Sequence, residues 1–292
     1  MLSGTLISKN IRRKKVGNTE FYIVYVLVKY NFYHVKMSLS KMSCYPYEVV
    51  VSNWMFSNDK MYSNFNKMRG YVMGLVTEEK NNKIADLLTN PDIKPEFITG
   101  EKALKFDSYG YLLGAKEKKK LNPSQIKVLD QSLNAKDFSL IVGMPGTGKT
   151  HTTCLLLKIC IELKKRILVT SYTHQAIDNI IEKFVSLFPK DKHFLARMSA
   201  TKSASNQLDI NDIIFDNKQF KNFTDIDNYL EKKRIMFTTC LATRMPILKA
   251  RPFDFVVIDE ASLTVEPIMV SSLFFSEKFV MIGDYDQLSP IV

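Results

Sequence analysis

Long apolar runs are missing from this sequence of 292 residues. No stretch reaches the ~18 consecutive apolar residues of a membrane span, and the start, MLSGTLISKNIRRKK, has too short an apolar run for a secretory signal. A soluble, intracellular chain with no membrane partner is therefore expected. Cysteine is scarce: Cys44, Cys154, Cys160 and Cys240 are scattered, with no C-x-x-C spacing. That excludes a disulfide framework and leaves no zinc or iron–sulfur pattern. Glycine almost disappears from the second half, where Gly283 is the only one after Gly148. A guanine-nucleotide switch senses its γ-phosphate through D-x-x-G, and Gly283 follows Val280-Met281-Ile282 instead. The loose N-K-x-D imitation at Asn206-Gln207-Leu208-Asp209 carries no weight without it. Acids are in deficit, 30 against 41 Lys and Arg, for a net charge of +11 and a pI near 9.3. Such a balance favours a polyanionic partner, with nucleic acid first, and says nothing about fold.

What is present begins with Leu140 to Thr153, LIVGMPGTGKTHTT. An apolar run, Phe138 with Leu140-Ile141-Val142, leads into Gly143-Met144-Pro145-Gly146-Thr147-Gly148-Lys149-Thr150. A segment rich in Leu and Ile follows. Strand, glycine loop and helix in that order form a cradle: backbone N–H groups and the positive helix end converge where a polyphosphate fits. Lys149 reaches the terminal phosphates as a point charge, and the Thr150 hydroxyl completes the shell of a magnesium ion. ATP with Mg2+ is the ligand pair this implies.

Beyond the loop, strand and helix patterns alternate. Ile167–Thr170 reads as a strand, then Ile177, Ile180, Ile181 and Phe184 stand at helical spacing. Further strands are expected at Phe194–Met198, Ile235–Thr238, Phe255–Ile258 and Phe279–Ile282. This alternation implies an α/β fold with a parallel sheet covered on both faces, and ligands in such sheets lie at the carboxyl ends of the strands. Polar clusters stand there: Ser171-Tyr172-Thr173-His174, Thr238-Thr239-Cys240, Asp259-Glu260 and Gly283-Asp284-Tyr285-Asp286-Gln287. After a buried strand beside a phosphate loop, Asp259 holds magnesium and Glu260 accepts a proton from the attacking water. Residues 206–233 read as a polar, partly helical insertion.

Ahead of the loop the texture changes. Residues 4–51 are rich in β-branched and aromatic residues broken by polar turns, with Arg12 to Asn18 as a charged hairpin tip. Gly70–Val76 and Tyr109–Leu113 read as later strands of the same unit, with a short helix around Ile84 to Leu88. A small antiparallel β-barrel-like domain over residues 1–115 is the expectation, followed by a charged, solvated linker at 116–120 (KEKKK). Its aromatics, Trp54 and the Tyr/Phe group at 21–33, serve as core or as stacking faces for single strands. Asn122-Pro123-Ser124-Gln125 then starts a helix, with Asn122 as cap and Gln125 completing a capping-box-like pair. The Gln125 amide is also suited to an adenine edge, and composition leaves both roles open.

With these motifs in order, residues 121–292 resemble a superfamily 1 helicase of the Upf1-like group, and within it the Dna2-like helicase/nuclease branch most closely. LNPSQ at 121–125 is similar to the Q motif, GMPGTGKT at 143–150 to motif I, and TSYTHQAIDNI at 170–180 to motif Ia. VVIDEASLTVEPI at 256–268 is similar to motif II, and Leu273-Phe274-Phe275 with FVMIGDYDQLSPIV at 279–292 to the link into motif III. The resemblance implies a RecA-like P-loop NTPase motor domain over 121–292. In it Gln125 contacts adenine, Gly143 to Thr150 hold the phosphates, Asp259 and Glu260 serve metal and water, and Gln287 senses the γ-phosphate. It also implies that Ser171, Tyr172, Thr173 and His174 touch single-stranded DNA, RNA being the alternative, and that a second RecA-like domain is needed for full activity. Leu263 departs from the pattern, which has Gln there. Neither a second motor domain nor a nuclease motif follows within these residues, so a fragment is expected, one that acts in the nucleus. A nucleotide- and DNA-binding module without useful turnover is the rival from another class.

Overall fold

The computed structural model describes residues 10–16, 19–25, 63–77, 82–198, 211–216, 220, 223–243, 245–249, 252–284 and 286. They belong to two compact units, 1–56 and 57–292. In the first, β1 (Asn10–Val16) and β2 (Thr19–Tyr25) pair antiparallel from Val16↔Thr19 to Asn10↔Tyr25. Arg12 to Lys15 therefore lie within a strand rather than at a hairpin tip. The other strands expected before residue 62, and Trp54, lie outside the described residues.

In the second unit, two segments expected as strands are helical. Helix α1 (Ser63–Thr77) contains Gly70–Val76, and α2 (Asn82–Thr89) covers the short helix expected there. Two valines and a tyrosine favour extended chain, and two glycines disfavour helix; the helical spacing of buried Tyr71 with Gly74 and half-buried Leu75 overrides both. Gly74 faces the Phe274 ring, where a Cβ would make an ordinary contact at 3.5 Å. Likewise Tyr109–Leu113 turns helically through α3 (Phe106–Tyr109) and a 3-10 turn, Gly110–Leu113. The buried Tyr109 hydroxyl donates to Asp130 Oδ1 at 2.6 Å, tying this segment to the next helix. Residues 116–120 expose their four lysines as a solvated stretch would, but they begin within a helix. Helix α4 (Gly114–Lys118) buries the Glu117 carboxylate.

Helix α5 (Pro123–Asn134) starts with the expected capping box: Asn122 Oδ1 accepts from the Gln125 N–H at 2.8 Å, and Gln125 Oε1 accepts from the Asn122 N–H at 3.2 Å. Then come β3 (Phe138–Val142), α6 (Lys149–Glu162), β4 (Ile167–Ser171), α7 (His174–Leu187), β5 (Leu195–Arg197) and α8 (Phe223–Glu231). The chain continues through β6 (Ile235–Thr239), α9 (Pro246–Lys249), β7 (Phe255–Ile258), α10 (Glu266–Leu273) and β8 (Phe279–Gly283). The six strands β3 to β8 form one parallel sheet in the order β3-β8-β7-β4-β6-β5. This is the α/β arrangement expected. Leu155, Ile159, Ile180, Phe184 and Val257 pack one face, and Leu168, Met236, Val256, Phe253 and Leu273 the other. Each fully buried aliphatic side chain contributes ~1.5–3 kcal/mol. After β3 the chain crosses to β4, while β7 and β8 fill the gap between them. That reversal opens a crevice at the carboxyl ends of β3, β8 and β7, and the site forms there.

Candidate nucleotide site

The glycine loop leaves β3 and enters α6 through two left-handed residues, Gly146 (φ 77°) and Gly148 (φ 86°). Side chains disfavour that conformation, and at Gly148 a Cβ would also come within 2.9 Å of Gln125 Nε2. At Gly143 a Cβ would meet Thr147 Oγ1 at the same distance. The loop is thus a cradle that only glycine leaves open. The Lys149 ammonium donates to the Gly143 carbonyl, to Met144 O at 3.2 Å and to Asp284 Oδ2 at 3.4 Å. Phosphate oxygens would exchange with those carbonyls without moving the helix.

Three loops close around this lysine. The Gly143 N–H donates to Gly283 O at 3.2 Å, joining the glycine loop to the end of β8. The Asp284 N–H donates to Ser262 Oγ at 3.2 Å, joining β8 to the turn after β7. Asp259 follows β7 directly; its N–H donates to Thr170 O at 2.8 Å and the residue is 8% exposed. Burial, with the neighbouring Glu260 charge second, pushes the Asp259 carboxyl up to about 6, against partial relief from Lys149. Burial also raises Glu260, again opposed by Lys149. Asp259, Glu260 and the lysine-bound Asp284 set three carboxylates against one ammonium here, and a hard divalent cation would supply the missing positive charge. Glu260 is left-handed (φ 53°, ψ 39°), one of two such non-glycine residues among those described. Such backbone costs ~1–3 kcal/mol and gathers at functional sites.

A cavity of ≈ 300 Å³ opens beside the loop, lined among others by Asn122, Gln125, Gly143, Thr147, Lys149 and Thr153. It suits a small ligand. Gln125 serves as helix cap and reaches the loop as well, its Nε2 donating to Thr147 O at 3.3 Å.

The family described as AAA domain matches residues 120–212 and 190–292. The chain belongs to this AAA domain family. Among curated relatives, the DNA replication ATP-dependent helicase/nuclease DNA2 of Homo sapiens is 38% identical over 174 residues, 60% of this chain and 16% of its own length. The DNA replication ATP-dependent helicase/nuclease JHS1 of Arabidopsis thaliana is 30% identical over 267 residues, 89% of this chain and 19% of its own. The chain thus spans less than a fifth of either relative. Among solved structures, T4 UvsW shows a TM-score of 0.44 at 16% identity, covering 72% of this chain and 40% of its own.

Of the residues expected in this AAA domain, the structure brings together Gln125, the loop 143–150, Asp259 and Glu260. Ser171 ends β4 and is buried, Tyr172 is half-buried, and Thr173 caps α7, its Oγ1 accepting from the Ala176 N–H at 3.1 Å. His174 opens α7 and is exposed. They stand at the sheet's carboxyl end, apart from the lysine contacts. Gln287 lies outside the described residues. Sequence reading overlooked Asp284 and Ser262, which lock the carboxylate loop to the glycine loop. The polar cluster after β8 held Asp284 in plain view; nothing about Ser262 distinguishes it from any surface serine.

Proposed function

We propose that this chain is the first motor domain of an ATP-dependent DNA helicase of the Dna2-like kind, acting on single-stranded DNA in the nucleus. The observation that carries the reading is Lys149, held between the glycine-loop carbonyls and Asp284 with Asp259 and Glu260 close enough to feel its charge. Gly143 to Thr150 hold the phosphates, and Gln125 turns from Thr147 O toward the adenine edge. Thr150 and Asp259 offer the oxygen ligands that Mg2+ accepts, and Glu260 takes the proton of the attacking water. Bound magnesium would supply charge at the γ-phosphate. Gln287 contacts that phosphate. A second RecA-like domain completes the machine, and an arginine it supplies would be worth ~10³–10⁵ in rate. The RNA alternative shares every contact described, since none of them reads the sugar. Residues 121–292 carry the motor; an N-terminal β domain precedes them.

Ser171, Tyr172, Thr173 and His174 meet the DNA backbone, where hydroxyls, ring and helix-end N–H groups suit phosphate and carry little base information. Binding should therefore favour single strands, ignore sequence, and fall steeply with salt. Replacing Tyr172 and His174 together by alanine lowers single-strand affinity and leaves nucleotide binding intact. Oligonucleotide titration and thermal unfolding on one preparation check this. A loss of stability with unchanged affinity would reduce these residues to helix caps and filling.

A further inference from the structure

The lysine-rich run at 116–120 finds no place in the nucleotide reading, yet its one acid is the best-connected residue nearby. Glu117 is 6% exposed, although Lys116, Lys118 and Lys119 around it face solvent. One carboxylate oxygen accepts from Lys120 Nζ at 2.8 Å, and the other stands 3.0 Å from His151 Nε2. Neither partner lines the cavity, but each stands within two residues of one that does. His151 sits in the first turn of α6, between Lys149 and Thr152. Lys120 lies two residues before Asn122, which lines the cavity together with Gln125.

We propose that Glu117 is a positioning residue, tying the segment that leads into Asn122 to the first turn of α6 and thereby setting the gap into which the nucleoside fits. This rests on the nucleotide reading of the site. With Glu117 bound at both ends, the turn bearing Lys149 and Thr150 and the turn bearing Gln125 hold a fixed separation, so the phosphate grip and the adenine contact act on one ligand together. Lys120 pulls the Glu117 carboxyl below its ordinary range, which keeps the acceptor charged. Removing the carboxylate strands no buried charge, because Lys120 is half exposed and His151 partly so. The fold should survive the change.

The test titrates ADP and GDP into the full chain and its variants, with thermal unfolding measured on the same preparations. Glu117→Ala should weaken ADP binding about tenfold, the size expected for hydrogen bonds to a charged group, and narrow the preference for ADP over GDP. Glu117→Gln should stay near the parent, since its carbonyl can accept from Lys120 while its amide stands within hydrogen-bond reach of the His151 ring. ADP affinity and preference unchanged in Glu117→Ala would overturn the bridge, as would Glu117→Gln falling equally far. Should Glu117→Ala fail to fold, His151→Leu carries the same expectation and the same refutation. A parent that binds no ADP would overturn the nucleotide reading along with the bridge; a parent that binds with indifferent variants overturns the bridge alone.

Discussion

At the residue scale the site turns on unequal carboxylates. Asp259 is almost wholly buried and raised to about 6, while Glu260 is less buried and raised without such crowding. A buried oxygen that needs a cation is suited to metal, and a more accessible one on a strained backbone is suited to moving a proton. Glu260→Gln keeps the shape and removes the acceptor. Nucleotide binding should survive it, and any ATPase activity of the complete protein should fall by ~10²–10⁴. Steady-state hydrolysis decides, and retained turnover would take the base role from Glu260. Residues 143–150 and 259–260 were legible because backbone geometry dictates their identities: the left-handed positions demand glycine, and an acid pair ending a buried strand has few other uses. Gln125 was legible only as two competing roles. In the structure it makes the cap and the loop contact together.

At the scale of elements, long-range packing decided what propensity could not. Strands β3 to β8 and helix α7 follow their apolar periods, so the sheet was readable almost to the residue. Gly70–Val76 was misread because its apolar residues meet α10, a partner almost two hundred positions away in sequence. Glu117 was misread because a single buried acid among lysines has no local signature. Arg197 shows the same limit: it is buried in β5, its Nε donating to Asp178 Oδ1 on α7 at 2.6 Å. Lys278, just before β8, gives a testable case. It donates to Leu133 O at 2.8 Å at the end of α5 and lies 5.2 Å from the Phe255 ring centre. Burial pushes its ammonium down from 10.5 to about 8. Between those values the unfolded chain binds more protons than the folded one, so this group makes stability rise with pH. The penalty is full below about 8 and gone above the unfolded value. Urea denaturation of parent and Lys278→Met should show the parent gaining on the variant from pH 8 to 10, at most ~1.4 kcal/mol per unit. A constant difference across that range would mean Lys278 is well solvated.

At the scale of the whole molecule, a parallel sheet with a reversal in its strand order gathers the ends of β3, β7 and β8 into one crevice. The glycine loop meets there an acid pair and Asp284 that follow it by more than a hundred residues in sequence. No helix among the described residues is long and apolar enough to cross a membrane, and the excess of Lys and Arg suits a polyanion bound along the surface. The central claim is that this crevice binds magnesium nucleotide through Lys149. Its most direct test is calorimetric titration of Mg-ATP into the parent chain and into Lys149→Ala, with folding of both verified by thermal unfolding. The account predicts saturable binding by the parent and a loss of at least ~100-fold in the variant, whose buried phosphates have lost their principal cation. Equal affinity in the two would contradict it.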